Sequence, residues 1–392
     1  MLLQQTPVEN WQSIPCSKFS SQHSEQNEEY FFAFESAGNT SFPDALRQIV
    51  TDYAILMQQE GLGLETEIYL RLHLSDISNQ SALTHQVLRE RGTSGICYLV
   101  GQPPASGAKI ALEAYHLRGP SGIRKQKHHP QTLEVEHGAY RSLWTRNLPV
   151  NAMGRTSFAQ TEKIFADLAI TLTGCHARLR DDLMRTWIYI RDIDNNYQGV
   201  VDARMGLFHD IGLNRHTHTV TSTGIEGRSE KVTDLVMLDA LTITGLAPEQ
   251  VTYLNAPEFM CSTFDYDVSF ERGVRIVYGD RAHFYISGTA SIDHKGRTLH
   301  EGDVIKQSIR TLENIQALLS PYGADLQDLK LLTVYLRDPA DYAVVSACLH
   351  QELPPLLPRV IVLGSVCRPA WLIEMEGIAV TAAGDHRFAH FC

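Results

Sequence analysis

The segment 366–377, VCRPAWLIEMEG, places two carboxylates in a stretch that is otherwise apolar enough to form a buried strand. Glu374 and Glu376 are two residues apart, so a strand would direct both side chains to the same face. Burial disfavours the charged form of a carboxyl group, and a carboxyl group that stays protonated near neutral pH can act as a general acid. Cys367 precedes Glu374 by seven residues and Arg359 precedes it by fifteen, which adds a thiol and a cation to the region.

The elements that must hold these residues recur three times along the chain. In each copy a strand-like segment follows an amphipathic helical pattern, and a second helical stretch and a closing strand come after it. The first strands are EIYLRLHLSD, RTWIYIRD and LTVYLRDPAD, at 67–76, 185–192 and 332–341. The closing strands are KIALEAYHL, DLVMLDALTI and WLIEMEGIAV, at 109–117, 234–243 and 371–380.

This repetition predicts an α+β chain in which three similar units form a pseudo-trimer. The first, degenerate unit is expected at 27–120, the second at 121–250, and the third, which would carry the active site, at 251–385. Residues 1–26 are rich in Gln and Ser and are expected to form a loosely held arm. A β-hairpin with its turn at DHKGR (293–297) is expected near the start of the third unit.

The three copies differ at one of the two carboxylate positions. The closing strands of the three copies are aligned with one another, and each first strand contributes a tyrosine, namely Tyr69, Tyr189 and Tyr335, at 44, 50 and 41 residues before the first position compared. The position of Glu376 is then acidic in every copy, as Glu113, Asp239 and Glu376. The position of Glu374 is apolar in the sister units, as Ala111 and Met237, and Arg359 has only Ile96 near its place in the first copy. Since the sister units fold without these polar groups, the third unit is predicted to be the active one.

The third unit resembles the Rid (YjgF/UK114) family. It follows that family's order of motifs with ISGTASID, a helix opening near QSIRTLENI, VYLRD, LPRV and the closing LIEMEGIAV. In the Rid pattern an arginine lies fifteen residues before the first glutamate of the closing strand, as Arg359 lies before Glu374. Further segments resemble the chorismatases, Rid-related enzymes that hydrolyse chorismate. These segments are STGIEGR (222–228), YLNAPEF (253–259), SFERG (269–273) and VCRP (366–369).

This resemblance, which spans roughly 60–380, implies three Rid/chorismate-mutase-like units and an enzyme that releases pyruvate from chorismate. Hydrolysis of an enol ether requires a proton on the vinyl carbon, and the resemblance assigns the general acid to Glu374. The substrate carries two carboxylates, which arginines bind bidentately. The candidate arginines are, in order of preference, Arg359, Arg272 and Arg368.

Other candidate residues concern hydrogen bonding and product choice. Tyr253 and Tyr266 are candidate donors to the substrate, although a buried tyrosine often satisfies its hydroxyl on the backbone. Within chorismatases, a cysteine at the place of Cys367 accompanies enzymes that aromatise the product to 3-hydroxybenzoate. The resemblance also links Ala290 to product choice, and alanine rather than glycine there keeps 4-hydroxybenzoate open beside the favoured 3-hydroxybenzoate.

Composition restricts the partners. The net charge of -11 argues against binding to nucleic acid or acidic membranes. The seven scattered cysteines and the absence of a transmembrane or signal segment indicate a cytoplasmic protein. The resemblance implies a cofactor-free enzyme, and a metal is not expected, since His128, His129 and His137 and the RHTH segment lack partners at ligand spacing. A monomeric pseudo-trimer or a weak homo-oligomer is expected.

Two other functions stay open at this point. A Rid-type imine or enamine deaminase would also use Arg359 for a carboxylate and Glu374 to handle water, but it would need no second arginine. A non-catalytic ligand-binding protein would tolerate Glu374→Gln, because a buried acid can simply pair with Arg359 or Arg368. Fold alone does not decide between these functions.

Overall fold

The structure consists of three mixed β-sheets, each covered on one face by helices, and it confirms the predicted α+β chain of three similar units. It is a computed structural model that describes residues 15–22, 27–119, 123–146, 156–266 and 268–392, with Tyr266 described in its backbone alone. The sheets span 16–118, 124–244 and 251–381. We refer to them as units 1, 2 and 3.

Unit 1 is a five-stranded sheet with two helices. Its elements are β1 (Cys16–Ser20), β2 (Glu28–Glu35), α1 (Phe42–Gln59), β3 (Glu67–Leu74), α2 (Ile77–Arg91), β4 (Ile96–Val100) and β5 (Ile110–Arg118). The strand order is β1-β2-β5-β3-β4, in which β4 runs parallel to β3. Ser41 caps α1 by accepting a hydrogen bond from the backbone N–H of Asp44, and Leu46, Ile49 and Tyr53 form its buried stripe.

Part of the segment that was expected to be a loose arm is the edge strand β1. It pairs antiparallel with β2, and Lys18 forms an ion pair with Glu28 at 2.5 Å. The alternation of CSKFS turns Phe19 inward, where its ring is buried beneath the Arg281 guanidinium. The expectation of a loose arm is therefore wrong for Cys16–Ser20, while 1–14 and 23–26 lie outside the described residues.

In its described ranges, 123–146 and from 156 onward, unit 2 is a six-stranded sheet with three helices. Its elements are β6 (Arg124–His129), β7 (Thr132–His137), β8 (Tyr140–Thr145), α3 (Ser157–Gly174), α4 (Leu179–Asp182), β9 (Leu183–Ile190), α5 (Ile193–Asp210), β10 (Thr221–Glu226) and β11 (Val236–Thr244). The strand order is β10-β9-β11-β8-β7-β6. Thr156 caps α3, whose apolar face includes Ile164, Phe165 and Leu168, as its sequence periodicity predicts.

Unit 3 repeats this plan. Its elements are β12 (Val251–Tyr253), β13 (Gly273–Val277), β14 (Ala282–Ala290), α6 (Val304–Leu319), β15 (Leu329–Leu336), α7 (Tyr342–Glu352), β16 (Arg359–Leu363) and β17 (Ile373–Thr381). The strand order is β12-β13-β14-β17-β15-β16. The hairpin near the start of unit 3 is formed by β13 and β14, and its turn is at 278–281. The segment DHKGR, where the turn of this hairpin was predicted, closes only a single bridge, between Ile292 and Thr298. The apolar spacing of the α6 sequence predicts a buried face that includes Ile309, but this residue is 37% exposed.

The helix-free faces of the three sheets meet in one apolar core that includes aromatic residues of every unit, among them Tyr69, Trp144, Trp187 and Tyr285. In the strand register, Tyr189 pairs with Met237, Tyr335 with Glu374, and His73 with Ala111. Because the second members of these pairs are equivalent positions of the closing strands, the unit 1 counterpart of the two tyrosines is His73 and not Tyr69. The first strand of unit 1 was therefore misaligned by four residues, while the alignment of the closing strands is correct.

The three aligned acids connect the units in a cycle at the centre of this core. Glu376 of unit 3 accepts hydrogen bonds from Arg185 and Trp187 of unit 2, at 2.6 and 2.8 Å. Asp239 of unit 2 lies 4.0 Å from Arg71 of unit 1, and Glu113 of unit 1 accepts a 2.7 Å hydrogen bond from Thr333 of unit 3. Because the acids are buried and paired across units, removing one partner would leave a buried polar group unpaired, so these contacts constrain how the units meet.

Candidate active site

A cavity of about 390 Å³ lies between units 2 and 3 and contains Glu374. Glu374 is the second residue of β17 and pairs in register with Ala290 of β14 and Tyr335 of β15. We call this cavity the 2–3 cleft. Its lining comprises Ile188, Ile190, Tyr197, Gln198, Val200, Val201, Arg204, Ser222, Gly224, Val268, Phe270, Arg272, Gly288, Ala290, Ile292, Cys367, Arg368, Trp371 and Glu374.

Burial raises the pKa of the Glu374 carboxyl from its ordinary value of 4.5 to about 8. The nearby Glu376 carboxylate raises this pKa further, while Arg185 and Arg272 oppose the shift. The carboxyl group is packed against backbone, since a Cβ added to Gly288 would lie 2.1 Å from Glu374 Oε1. Only glycine therefore leaves room for this carboxyl group in its present position, and at neutral pH the group carries a proton that it can donate.

Glu376 has a different environment, although it lies on the same face of β17. One oxygen accepts hydrogen bonds from Trp187 Nε1 at 2.8 Å and from the Tyr335 hydroxyl at 3.0 Å. The other oxygen accepts from Arg185 at 2.6 Å and from the Thr223 hydroxyl. These four donors hold the carboxylate in the contact between units 2 and 3, so Glu376 has a structural role and Glu374 faces the cavity.

Three arginines stand in the described lining of the 2–3 cleft, of which sequence reasoning found two. Arg272 is buried, donates to the Cys261 carbonyl at 3.1 Å and lies 5.3 Å from the centre of the Phe270 ring. Arg368 donates to the Gly296 carbonyl at 3.0 Å and stacks over Trp371. Both predicted arginines thus lie in the cavity with Glu374, where guanidinium groups can bind carboxylates.

The third arginine, Arg204, belongs to α5 of unit 2 and was missed. It is buried and donates to the Ser222 hydroxyl at 3.3 Å. The sequence contained a signal for Arg204, which lies four residues after Val200 and therefore on the apolar face of the helix. A charged side chain on such a face is costly to bury unless it has a partner or a function. That signal did not indicate which unit the helix would face.

Cys367 follows the short bridge between Val366 and Ile225 and lines the cleft beside Glu374. Burial and the nearby Glu374 carboxyl raise the pKa of its thiol to about 12, against a hydrogen bond with the Tyr197 hydroxyl that lowers it. The thiol is therefore protonated at neutral pH and is not a ready nucleophile. Tyr197, on α5, is a second residue of unit 2 that sequence reasoning missed.

The two predicted tyrosines do not add to the described lining. Tyr253 lies on β12 and stacks on His218, with ring centres 4.7 Å apart, outside the lining of the 2–3 cleft. The side chain of Tyr266 lies outside the described part of the structure. Ala290 does line the cleft, directly opposite Glu374 in the sheet register.

Arg359, the first choice of carboxylate-binding arginine, is not brought together with Glu374 by the structure. It opens β16, a strand that is hydrogen-bonded to the backbone of unit 1: the Ile361 carbonyl accepts from the Ala105 N–H, and the Leu363 N–H donates to the Pro103 carbonyl. Its neighbour Tyr342 lies within electrostatic reach of Glu35, a unit 1 residue. We call this region the 3–1 contact. Arg359 is absent from the described lining of the 2–3 cleft.

The physical reason is the order of the units around the pseudo-trimer. The parallel strand pairs align Arg359 with Ser222 of unit 2 and Cys97 of unit 1, not with Ile96. Ser222 lines the 2–3 cleft with Glu374, so the equivalent cleft for Arg359 would contain Ala111. In a trimer of identical subunits each cleft would hold both polar residues, whereas here the two residues of unit 3 face different neighbours.

The histidine clusters have ordinary partners. His128 Nε2 lies 2.9 Å from a Glu134 oxygen, and His137 is hydrogen-bonded to Ser142 and to the Phe391 carbonyl. Across the described ranges, three His, Cys, Asp or Glu side chains are nowhere grouped closely enough to hold a metal ion. No helix within those ranges combines the length and hydropathy that a bilayer crossing requires.

Comparison with known proteins places unit 3 in a family. The model of the family described as Endoribonuclease L-PSP matches residues 272–381. The 3-aminoacrylate deaminase RutC of Acinetobacter baylyi is 32% identical over 96 residues, which are 24% of this chain and 76% of the relative. A RutC family protein of Pyrococcus abyssi is 36% identical with the same coverage of each chain. The chain therefore belongs to the RutC family, and the Rid resemblance of unit 3 is confirmed.

A more particular likeness extends over the whole chain. A chorismatase crystal structure at 1.08 Å resolution superimposes with a TM-score of 0.62 and covers 91% of this chain and 99% of its own. At 17% identity the match shows a shared fold, which confirms the predicted resemblance to chorismatases in architecture. The 3-hydroxybenzoate synthase of Streptomyces hygroscopicus is 32% identical over 116 residues, which are 27% of this chain and about a third (34%) of that relative.

Proposed function

We propose that this protein is a chorismatase, which hydrolyses the enolpyruvyl ether of chorismate to pyruvate and a hydroxybenzoate. The observation that carries the proposal is a buried carboxyl group, Glu374, whose pKa is raised to about 8 in a cavity that also contains Arg204, Arg272 and Arg368. A protonated acid facing a cationic pocket suits an acid-labile substrate with two carboxylates. The shared fold with a chorismatase and the similarity to a 3-hydroxybenzoate synthase support the choice of substrate.

In the proposed reaction Glu374 donates its proton to the vinyl CH2 carbon. The ether carbon then becomes an oxocarbenium-like cation, which the new carboxylate stabilises. Water adds to this carbon and returns a proton to Glu374, and collapse of the hemiketal breaks the bond to the ring oxygen and releases pyruvate. Loss of one water from the ring diol gives the hydroxybenzoate, so the overall conversion of chorismate consumes no water.

The arginines are proposed to hold the two substrate carboxylates on either side of the enol ether. Arg272 and Arg368 come from unit 3 and Arg204 from unit 2, so the substrate would span the contact between the two units. Arg204 takes the place that Arg359 was expected to have, because its guanidinium reaches the Ser222 hydroxyl at the position equivalent to Arg359. A pocket shared by two units can thus recruit a guanidinium from a helix when the strand lacks one.

The proposed main product is 3-hydroxybenzoate, and 4-hydroxybenzoate is the second candidate product. Cys367 lines the same cavity as Glu374, and its thiol is protonated. The thiol can therefore accept or donate a weak hydrogen bond while the ring is aromatised. Ala290 fills space directly opposite Glu374, so its methyl group limits how the ring can lie. Product identity therefore depends on both residues.

The deaminase alternative has less support from the geometry. It would need Arg359 and Glu374 around one small imino acid, but these residues lie in the 3–1 contact and the 2–3 cleft respectively. The likeness of unit 3 to the RutC deaminase is the observation that favours it. Incubation with 2-iminopropionate generated in situ, with ammonia release as readout, would test this alternative directly.

The first experiment incubates the purified protein with chorismate, quantifies pyruvate and identifies the aromatic product by chromatography. Glu374→Gln keeps the size of the side chain but cannot donate the proton, so we expect kcat to fall about 10³-fold. The matched control is Glu352→Gln, an exposed glutamate at the end of α7, which should match the wild type. Absence of pyruvate from the wild type, or full activity of Glu374→Gln with an unchanged melting temperature, would reject the proposal.

A further inference from the structure

The strand β14 contains a β-bulge directly beside Glu374. From Ile286 to Thr289 this strand advances three residues while its partner β17 advances two, so β14 has one extra residue within Ser287–Gly288. An extra residue reverses the alternation of side chains along the rest of the strand. The bulge is therefore the reason that Ala290, and not Thr289, lies opposite Glu374 on the cavity face.

Unit 1 shows that the fold does not require this bulge. Its equivalent strands, β2 and β5, pair without a register shift over the whole of Glu28–Glu35. This interval includes Glu113 and Ala111, the counterparts of the two unit 3 glutamates. Bulges are common next to active sites, where they redirect a side chain. An irregularity that is absent from unit 1 and lies beside the buried acid of unit 3 therefore indicates a role in the site.

Two neighbouring residues of β10, in unit 2, hold the bulge from across the contact between the units. The Thr223 hydroxyl accepts a 2.8 Å hydrogen bond from the Gly288 N–H, and a Cβ on Gly288 would lie 3.1 Å from the Thr223 methyl carbon. The same Cβ would lie 2.1 Å from Glu374 Oε1, so the glycine backbone contacts both the threonine and the carboxyl group. The Ser222 N–H donates to the Ser287 hydroxyl at 3.0 Å. Both residues of the bulge are thus bonded to unit 2.

The Thr223 hydroxyl is itself fixed by the buried network around Glu376. It donates to the Glu376 carboxylate and accepts a 2.6 Å hydrogen bond from Arg185 Nη2. Together with the Gly288 N–H, these partners use the one donor and both acceptor positions of the hydroxyl. All three side chains of this network are buried. The oxygen that accepts from the bulge therefore has a defined position in unit 2.

This arrangement is particular to the contact between units 2 and 3. The strand register aligns Thr223 with Tyr98 of unit 1 and Val360 of unit 3. Valine offers no hydroxyl, and the Tyr98 hydroxyl has no hydrogen-bond partner among the described residues. A side-chain hydroxyl that holds the neighbouring unit at this position is thus found where the buried acid is.

We infer that the bulge at Ser287–Gly288 positions the Glu374 carboxyl group, and that Thr223 is the positioning residue that holds the bulge from unit 2. The inference rests on the proposed function, in which Glu374 is the proton donor. Thr223 is absent from the described lining of the 2–3 cleft, so it acts through the Gly288 backbone. Its loss should lower kcat and leave KM for chorismate nearly unchanged, because its hydroxyl holds the acid in place and not the substrate.

The test uses two substitutions that separate the groups of the threonine side chain. Thr223→Val keeps the methyl group and removes the hydroxyl, whereas Thr223→Ser keeps the hydroxyl and removes the methyl group. Displacement of a catalytic group by about 1 Å can cost about 10²-fold in rate, so kcat of Thr223→Val in the pyruvate assay should fall at least about tenfold, with KM within about threefold of the wild type. Thr223→Ser should keep at least about a third of the wild-type kcat. Wild-type kcat in Thr223→Val, or equal losses in the two variants, would overturn the inference.

Trp187→Phe is the matched control for a general weakening of the contact between units 2 and 3. Trp187 Nε1 donates to the Glu376 carboxylate at 2.8 Å, so this variant disturbs the same buried network and leaves the hydrogen bond between Thr223 and Gly288 in place. Its melting temperature should fall, while its kcat stays within about threefold of the wild type. Equal losses of kcat in Trp187→Phe and Thr223→Val would contradict a positioning role for Thr223.

A readout that does not need chorismate separates this inference from the proposed function. Crystal structures of the wild type and of Thr223→Val are compared at the bulge. Without the hydroxyl the Gly288 N–H loses its acceptor, so we expect the Gly288 backbone and the Glu374 carboxyl group to move by about 1 Å, the displacement that the loss in rate requires. If the wild type releases no pyruvate, a displaced carboxyl group still supports the positioning role, and an unmoved one rejects it.

Discussion

The 2–3 cleft and the 3–1 contact occupy equivalent places in the pseudo-trimer, but the first contains Glu374 and the second contains Arg359. The 2–3 cleft has Glu374 beside Ser222, and the 3–1 contact has Arg359 at the place of Ser222 and Ala111 at the place of Glu374. Neither region contains both residues. The spacing of fifteen residues within unit 3 therefore describes a repeated strand pattern and not one site.

In the proposed site, arginines from elsewhere take the role of the strand arginine that the 2–3 cleft lacks. Arg204 arrives from a helix of unit 2, and Arg272 and Arg368 come from loops around unit 3. When units diverge within one chain, each cleft can gain or lose residues independently, because a change in one unit affects only the clefts that it borders. The comparison thus predicts that chemistry is confined to one of the two regions.

The most direct test of whether the chemistry takes place in the 2–3 cleft is to displace the Glu374 carboxyl group without removing it. Gly288→Ala places a methyl carbon 2.1 Å from the present position of Glu374 Oε1, so the carboxyl group must move. Its backbone φ is not positive, so the strand tolerates alanine. Misplacement of a catalytic group by about 1 Å can cost about 10²-fold in rate, and we expect that loss in kcat from pyruvate assays.

Gly206→Ala is the matched control, since a Cβ at this glycine of α5 meets no atom within 4 Å. It should leave kcat unchanged. If Gly288→Ala retained wild-type turnover, the Glu374 carboxyl group would not be the proton donor in its present position.

A second prediction compares arginines across the two regions. Arg272→Gln removes a buried guanidinium from the 2–3 cleft, and hydrogen bonds to charged groups contribute about 1.5–3 kcal/mol, so kcat/KM for chorismate should fall about 30-fold. Arg359→Gln acts in the 3–1 contact and should change kcat/KM less than about threefold, although it can alter thermal stability. A larger loss for Arg359→Gln than for Arg272→Gln would contradict the assignment of the substrate to the 2–3 cleft.

The fold and the distinction between Glu374 and Glu376 were accessible from the sequence because both depend on local patterns. Apolar periodicity marks the strands and helices of each unit, and the repeat itself separates Glu376, which has acidic counterparts, from Glu374, which has none. The register observed for β5, β11 and β17 agrees with that alignment.

The remaining parts of the site depend on how units meet, which local patterns do not encode. Arg204 and Tyr197 lie on a helix whose exposed and buried faces are set by unit 3, and Arg359 faces unit 1 for the same reason. The strand Cys16–Ser20 was missed because its short alternation has a partner only in the folded sheet. A three-unit alignment can therefore predict what each unit contains, but not which neighbour each side chain faces.

The last prediction concerns pH and stability. The folded pKa of Glu374, about 8, lies above its ordinary value of 4.5, so the folded state binds a proton more tightly than the unfolded state does. The stability that this difference provides is present in full below pH 4.5 and is lost as the pH rises through 8. Between pH 6 and 8 the loss amounts to about 2 kcal/mol of unfolding free energy.

Glu374→Gln cannot titrate, so it isolates this contribution from the other ionisable groups, which both proteins share. Urea unfolding at pH 6 and pH 8 should therefore show the wild type losing about 2 kcal/mol more than the variant. Glu352→Gln, a variant of an exposed glutamate at the end of α7, offers a control in which the wild-type pH dependence persists. Equal losses in the wild type and Glu374→Gln would mean that Glu374 is ionised at pH 6, and a carboxylate in that state could not protonate the enol ether.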